Sequence, residues 1–150
     1  MIDVEDLKST EIADSLTPED LAAIARISQI ERYPAGEYIF LEDSNADRLY
    51  FVLHGKVAIG LTALPGKEVT VSTVDTGGCF AWATMLPPYT HFASGTAVVD
   101  SSVVAIDGKK LLALCEERPK LGMAIFRALT ETLSRRIRDT RIQLVTCCSG

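Results

Sequence analysis

Pro34-Ala35-Gly36-Glu37-Tyr38-Ile39-Phe40, and then Asp47-Arg48-Leu49-Tyr50-Phe51-Val52-Leu53-His54-Gly55-Lys56-Val57, form the stretch whose reading decides the fold. Aromatic and aliphatic residues gather there in short runs that turn residues cut at close intervals, which is the pattern of strands joined by turns. Carried downstream, the pattern predicts strands near Tyr38–Leu41, Arg48–His54, Lys56–Ala63, Glu68–Val74, Ser94–Val99 and Ser102–Asp107. Leu64-Pro65-Gly66-Lys67 reads as a hairpin turn and His54-Gly55 as a tight bend. Many short strands of this kind describe a sandwich, a roll or a barrel.

On either side of this middle the apolar period becomes helical. Thr17-Pro18-Glu19-Asp20 starts a helix: Thr17 accepts from free backbone N–H groups, Pro18 suits the first turn, and the acids favour the positive end. Leu21, Ile24, Ala25 and Ile27 recur at helical spacing until Tyr33-Pro34-Ala35-Gly36 breaks the helix. A weaker helix is expected within Val4 to Asp14. Beyond Asp107, Lys109 to Glu117 reads as a short helix, and Pro119 starts a long one striped by Leu121, Ile125, Leu129, Leu133, Ile137 and Leu144. Phe126, Leu129, Leu133, Ile137 or Arg136, Thr140 and Leu144 approximate alternating spacings of three and four, a coiled-coil-like seam with polar Thr140 set into it. A homodimer through this helix is expected.

Composition narrows the function. A length of 150 residues with 47% apolar and 23% charged side chains suits one domain with its own core. The longest apolar runs, such as Leu49–Leu53 and Val103–Ile106, fall far short of the roughly 20 residues of a membrane-spanning helix. Met1 to Ser9 is acidic and mixed, unlike a secretory signal, so a cytoplasmic location is expected. A net charge of −5 opposes DNA binding by the chain as a whole. Arg127, Arg135, Arg136, Arg138 and Arg141 crowd the last helix, either as a solvated or dimer-flanking face or as a docking surface for an acidic protein partner. Cys79, Cys115, Cys147 and Cys148 lack metal-ligand spacing; the first two read as core residues and the others as a frayed tail. No metal, no cofactor and no enzyme activity are expected, since no nucleophile–base pair, phosphate loop or dinucleotide fingerprint is present.

The quoted stretch, followed by Thr76-Gly77-Gly78 and by Ala97-Val98-Val99-Asp100-Ser101-Ser102-Val103-Val104-Ala105-Ile106, closely resembles the cyclic-nucleotide-binding domain of the Crp/Fnr superfamily over about residues 17 to 145. The resemblance implies a mainly β fold with flanking helices: a β-roll, or double-stranded β-helix of jelly-roll type, plus a long C-terminal helix. It divides one domain into N-terminal helices (1–31), the roll (32–107) and C-terminal helices (108–146).

It also implies a phosphate-binding cassette, in which a Gly-Glu pair opens a short helix and an Arg follows about ten residues later. Backbone N–H groups and one guanidinium suit a buried cyclic phosphate. Here Ala81-Trp82 stands at the Gly-Glu position, and His91-Phe92, or Thr90, at the Arg position. Loss of such a charge partner costs on the order of 2–5 kcal/mol, about thirtyfold to several-thousandfold in affinity. His91 has a pKa near 6.5 when unperturbed and offers two donors against five for Arg. Pro87-Pro88 removes two backbone donors from the cradle.

The candidate pocket therefore comprises Ala81, Trp82, Ala83, Thr84, Thr90, His91 and Phe92, with Thr140 and Arg141 reaching in from the long helix. Trp82 either stacks on a planar ligand or fills the pocket. His91 is either an anion contact or a partly buried structural residue. Thr140 either meets a base or relieves packing at a dimer seam, and Arg141 either binds a ligand or lies on the surface. Three readings follow: a sensor or interaction module with an unusual small-molecule effector or none, a cyclic-nucleotide receptor with an atypical pocket, or the effector domain of a transcription factor whose helix-turn-helix lies outside this chain.

Overall fold

The computed structural model describes residues 2–149, in which two short helices lead into two antiparallel four-stranded sheets and two further helices close the chain. Helices α1 (Val4–Lys8) and α2 (Pro18–Ala25) precede β1 (Ser28–Tyr33), β2 (Tyr38–Phe40), β3 (Arg48–His54), β4 (Val57–Leu64), β5 (Lys67–Val74) and β6 (Cys79–Phe80). A 3-10 turn at Trp82–Met85 leads to β7 (Ser94–Ala97), β8 (Ser101–Asp107), α3 (Gly108–Glu117) and α4 (Pro119–Ser149). One sheet has the order β1-β8-β3-β6 and the other β2-β7-β4-β5. This is the mainly β fold with flanking helices and a long last helix that the residues led us to expect.

Strands β3 and β8 are apolar on both faces because both faces are covered. Tyr50, Val52, Val103 and Ala105 point between the sheets, where they meet Val57, Ile59, Val74 and Phe80. Leu49, Phe51, Val104 and Ile106 alternate with them and point outward, onto Leu7, Ile24, Leu111, Leu121 and Ile125 of the four helices. The period of two along a strand thus builds two cores on one sheet. Gly55 makes the bend after β3 with φ of 106°, and its face is so close to Ser101 that a Cβ would meet the Ser101 Cα at 2.8 Å.

Three expectations need correction. The helix begun at Thr17 ends at Ala25, and Ser28–Tyr33, read as its continuation toward the Tyr33-Pro34 break, is a strand. Its pairing with β8, Ile30 opposite Val104, overrides the local helical spacing. Strand β6 is only two residues long, too short to leave a periodic mark. The last helix continues through Cys147 and Cys148, both exposed, in place of a frayed tail. Cys79 and Cys115 are buried thiols, as expected of core residues.

Gly95 on β7 is buried against the Phe40 ring, and a Cβ there would overlap that ring. Because Phe40 is itself held in a stack of aromatic rings, Gly95→Ala is expected to destabilise the fold by about 1–3 kcal/mol, as overpacking does. Urea unfolding of the variant beside the parent checks this.

Candidate functional site

Residues 79–93 form the loop that the candidate pocket depends on. Strand β6 pairs with β3, Phe80 opposite Tyr50, and so sends the Phe80 ring between the sheets. Ala81 then turns left-handed at φ 65° and ψ 41°, and Trp82–Met85 follow as the 3-10 turn. That conformation suits glycine and costs another residue roughly 1–2 kcal/mol. The backbone therefore turns at Ala81 as a glycine would, although the side chains differ.

The return of the loop is tied to the β2–β3 connection. Ala46 N–H donates to the Tyr89 carbonyl (2.8 Å), His91 N–H to the Ser44 carbonyl (2.9 Å) and Asp43 N–H to the His91 carbonyl (2.9 Å). These bonds turn His91 inward, where it is 4% exposed. Its ring lies 4.2 Å from that of Phe40, which also stacks on Phe80 at 6.0 Å and Tyr50 at 6.3 Å, while Tyr50 and Phe80 stand 5.0 Å apart. Such pairs contribute about 0.5–1.5 kcal/mol each beyond their burial. Four rings thus fill the space between the sheets.

What remains is a cavity of about 40 Å³ lined by Phe40, Ile59, Ala81, Trp82, Ala83, His91, Phe92 and Ala93. Room for one water begins at about 10–15 Å³, so a few waters would fit, whereas ligand pockets run to about 300–1,000 Å³. Of the residues expected at the pocket, the structure brings together Ala81, Trp82, Ala83, His91 and Phe92. Thr84 is buried but faces a separate cleft beside Asp47 and Lys109, and touches the backbone side of Gly108. Thr90 does not line the cavity; it is half-buried and bridged to Asn45. Thr140 and Arg141 do not reach the cavity; both are exposed on α4, which by then has run past the edge of the roll.

The residue that sequence reasoning missed is Arg136. It was expected on a solvated or seam face, yet its guanidinium lies over the Trp82 indole, 4.8 Å from the ring centroid, and Nη2 donates to the Cys79 carbonyl. The signal was present in the spacing, because Leu121, Ile125, Leu129 and Thr132 are buried and Arg136 is the next position on that stripe. Beside it Glu11, from the segment after α1, accepts from Cys79 N–H (3.1 Å), the Thr132 hydroxyl (2.7 Å) and Arg135 (3.1 Å). One carboxylate therefore joins the N-terminal segment, the start of the loop and α4.

Burial lowers the proton affinity of Arg136 and raises the pKa of Cys79 far above the ordinary thiol range; it pushes Cys115 up to about 11 and Tyr50 up to about 12. The buried thiols are thus poor nucleophiles. His91 is pushed below its usual 6.5, first by burial, with Asp47 acting the other way. Among the described residues no group of three or more potential ligands can hold a metal, and no helix is long and apolar enough to cross a membrane.

Residues 30–118 match the cyclic nucleotide-binding domain family. The chain belongs to that family. It is 28% identical over 124 residues to the CRP-like cAMP-activated global transcriptional regulator of Mycobacterium tuberculosis, covering 83% of this chain and 55% of that protein. It is 29% identical over 138 residues to the cyclic AMP receptor protein of Thermus thermophilus, covering 92% of this chain and 62% of that protein. A candidate cyclic nucleotide-binding protein of Geobacter metallireducens superposes with a TM-score of 0.81 at 31% identity, over 91% of this chain and 99% of the other. The chain is a regulatory-type cyclic nucleotide-binding domain related to Crp-like transcription regulators, and it spans a little over half the length of the two curated relatives.

The buried position of His91 has a pH consequence. A pKa lowered by folding means that the stabilising neutral ring is fully in place above about pH 6.5, and that stability falls as pH drops toward the folded value, because the unfolded chain takes up the proton first. His91→Phe keeps a ring in the stack and removes the titration. Between about pH 7.5 and about pH 5 the parent is expected to lose more stability than the variant in urea unfolding. Parallel profiles would count against it.

Proposed function

We propose that this chain is a non-catalytic regulatory domain whose roll does not take cAMP or cGMP in the usual way, and that it signals from the cytoplasm through protein contacts along α4. The observation that carries the reading is the closed stack of Phe40, Tyr50, Phe80 and His91, which leaves about 40 Å³ between the sheets. No arginine lines that space, so a cyclic phosphate pushed into it would meet rings and a histidine biased toward neutrality. A ligand at 100 times its Kd adds about 2.7 kcal/mol, or roughly 5–10 °C in Tm for a chain of this size. Thermal unfolding with cAMP or cGMP is expected to show no such shift, and a large one would defeat the reading.

A second copy of the chain is the partner that α4 supports. Its inward positions end near Thr132, whereas Met123, Phe126, Thr130, Leu133, Ile137, Thr140 and Leu144 follow at strict spacings of three and four, each exposed or half-buried. Leu129, assigned to the seam from spacing alone, faces its own core at 5% exposure, and Thr130 takes its place. That seam fits an antiparallel or parallel helix pair. In sedimentation or light scattering the chain is expected to be a dimer, and Ile137→Glu with Leu144→Glu a monomer of unchanged helix content.

Two facts favour other readings. Two of the relatives named above are a cAMP-activated regulator and a cyclic AMP receptor, and Ala81, at the position where the resemblance implies a glycine, has a left-handed backbone that suits one, which supports a receptor with an atypical pocket. The shorter length against those relatives supports the effector part of a transcription factor. The thermal shift separates the first of these from the sensor reading.

A further inference from the structure

Thr84 is 3% exposed, yet its hydroxyl makes no hydrogen bond among the described residues. Its oxygen lies where a Cβ on Gly108 would be, so the glycine that opens α3 is what admits it. Thr84 lines a cleft of about 620 Å³, within the roughly 300–1,000 Å³ of small-molecule sites and separate from the small cavity beside Trp82. Three segments wall this cleft: Asp47 comes from the β2–β3 connection, Thr84 and Tyr89 from the loop, and Asp107, Lys109 and Leu112 from the end of β8 and the start of α3. Backbone bonds hold the walls together, Gly108 N–H to the Asp47 carbonyl (2.9 Å) and Ala46 N–H to the Tyr89 carbonyl (2.8 Å). The cleft is therefore preformed.

Both signs of charge meet in it without cancelling. Neither Asp47 nor Lys109 takes part in the described ion pairs, whose cations are Lys8, Arg48, Lys56, Arg118 and Arg135. Asp107 gives Oδ1 to Lys110 N–H (3.0 Å) and so caps α3, while its Oδ2 has no described partner. A simple cation would find the two carboxylates but also the Lys109 ammonium. A simple anion would find Lys109 and the Thr84 hydroxyl but also the two carboxylates. A small molecule that carries both charges satisfies all four groups through charge-assisted hydrogen bonds. Tyr89, 42% exposed, and half-buried Leu112 add apolar surface beside them.

We propose that this cleft binds a free α-amino acid with an apolar side chain. Asp47 and Asp107 share its ammonium, Lys109 and the Thr84 hydroxyl take its carboxylate, and its side chain lies on Tyr89 and Leu112. An α-amino acid bears both charged groups on one carbon, which suits two carboxylates and a lysine that line a single cleft. None of the four stacked rings lines this cleft, so the assignment is independent of whether a cyclic nucleotide enters the roll.

Isothermal titration of the full chain with L-leucine, L-methionine and L-phenylalanine tests this. The amide of each removes the carboxylate, the N-acetyl form removes the ammonium, and glycine removes the side chain. Saturable binding of at least one of the three is expected, weaker by about tenfold or more for each of its counterparts, the worth of one hydrogen bond to a charged group. Asp47 and Lys109 are exposed, so Asp47→Asn and Lys109→Gln are expected to fold as the parent does and to weaken the amino acid by about tenfold each. Lys109→Gln is expected to leave the amide unchanged, since the amide has no carboxylate to lose. Thr84→Val is expected to weaken binding and Thr84→Ser to retain it. Silence with all three amino acids overturns the proposal, as does binding by the parent chain that is equal for an amino acid and its counterparts or tighter for the amide. Binding that neither Asp47→Asn nor Lys109→Gln alters lies elsewhere and overturns it too.

Discussion

Everything in this chain hangs on the antiparallel pair of β3 and β8, buried on both faces. A strand can present only two faces, and here each is claimed by a different core: the inner by the second sheet, the outer by the helices. This double burial makes Leu49–Leu53 and Val103–Ile106 almost unbroken apolar runs. It also gives the helices a floor, so that α1, α2, α3 and the first half of α4 are parts of the domain and not appendages.

That arrangement crowds the space between the sheets. The inner core is small, and its side chains are large and aromatic: Phe40, Tyr50 and Phe80, completed by His91 from the loop. The loop at residues 81–92 makes a left-handed turn at Ala81 and is tied through its backbone to the β2–β3 connection. Its side chains include His91, which stacks on Phe40. One scaffold serves several functions through the sites built on it.

The long helix divides its work by length. Up to Thr132 it packs on the roll, and Glu11 fastens it to both the N-terminal segment and the start of the loop. From Ile137 to Ser149 it extends roughly 18 Å with no neighbour among the described residues. Arg136 stands at the junction, its guanidinium on Trp82 and its Nη2 on the Cys79 carbonyl.

Much of this was legible in the residues. The strands of the middle, the hairpin at Pro65-Gly66, the two C-terminal helices and the altered loop at Ala81-Trp82 and His91-Phe92 each leave a local mark, whether a period, a turn residue or a departure from a familiar pattern. Strands β1 and β6 left none: the first has the composition of a helix tail and is a strand only because β8 offers it partners, and the second is two residues long. The side chains of the candidate site were named from order along the chain, which cannot tell that Thr84 turns to another cleft, that Thr140 and Arg141 lie beyond the edge of the roll, or that Arg136 folds down onto Trp82. Periodicity states which residues share a face of one element; which face meets which neighbour, and how far along a helix that contact lasts, is set by packing between elements distant in sequence, and only the tertiary structure decided it.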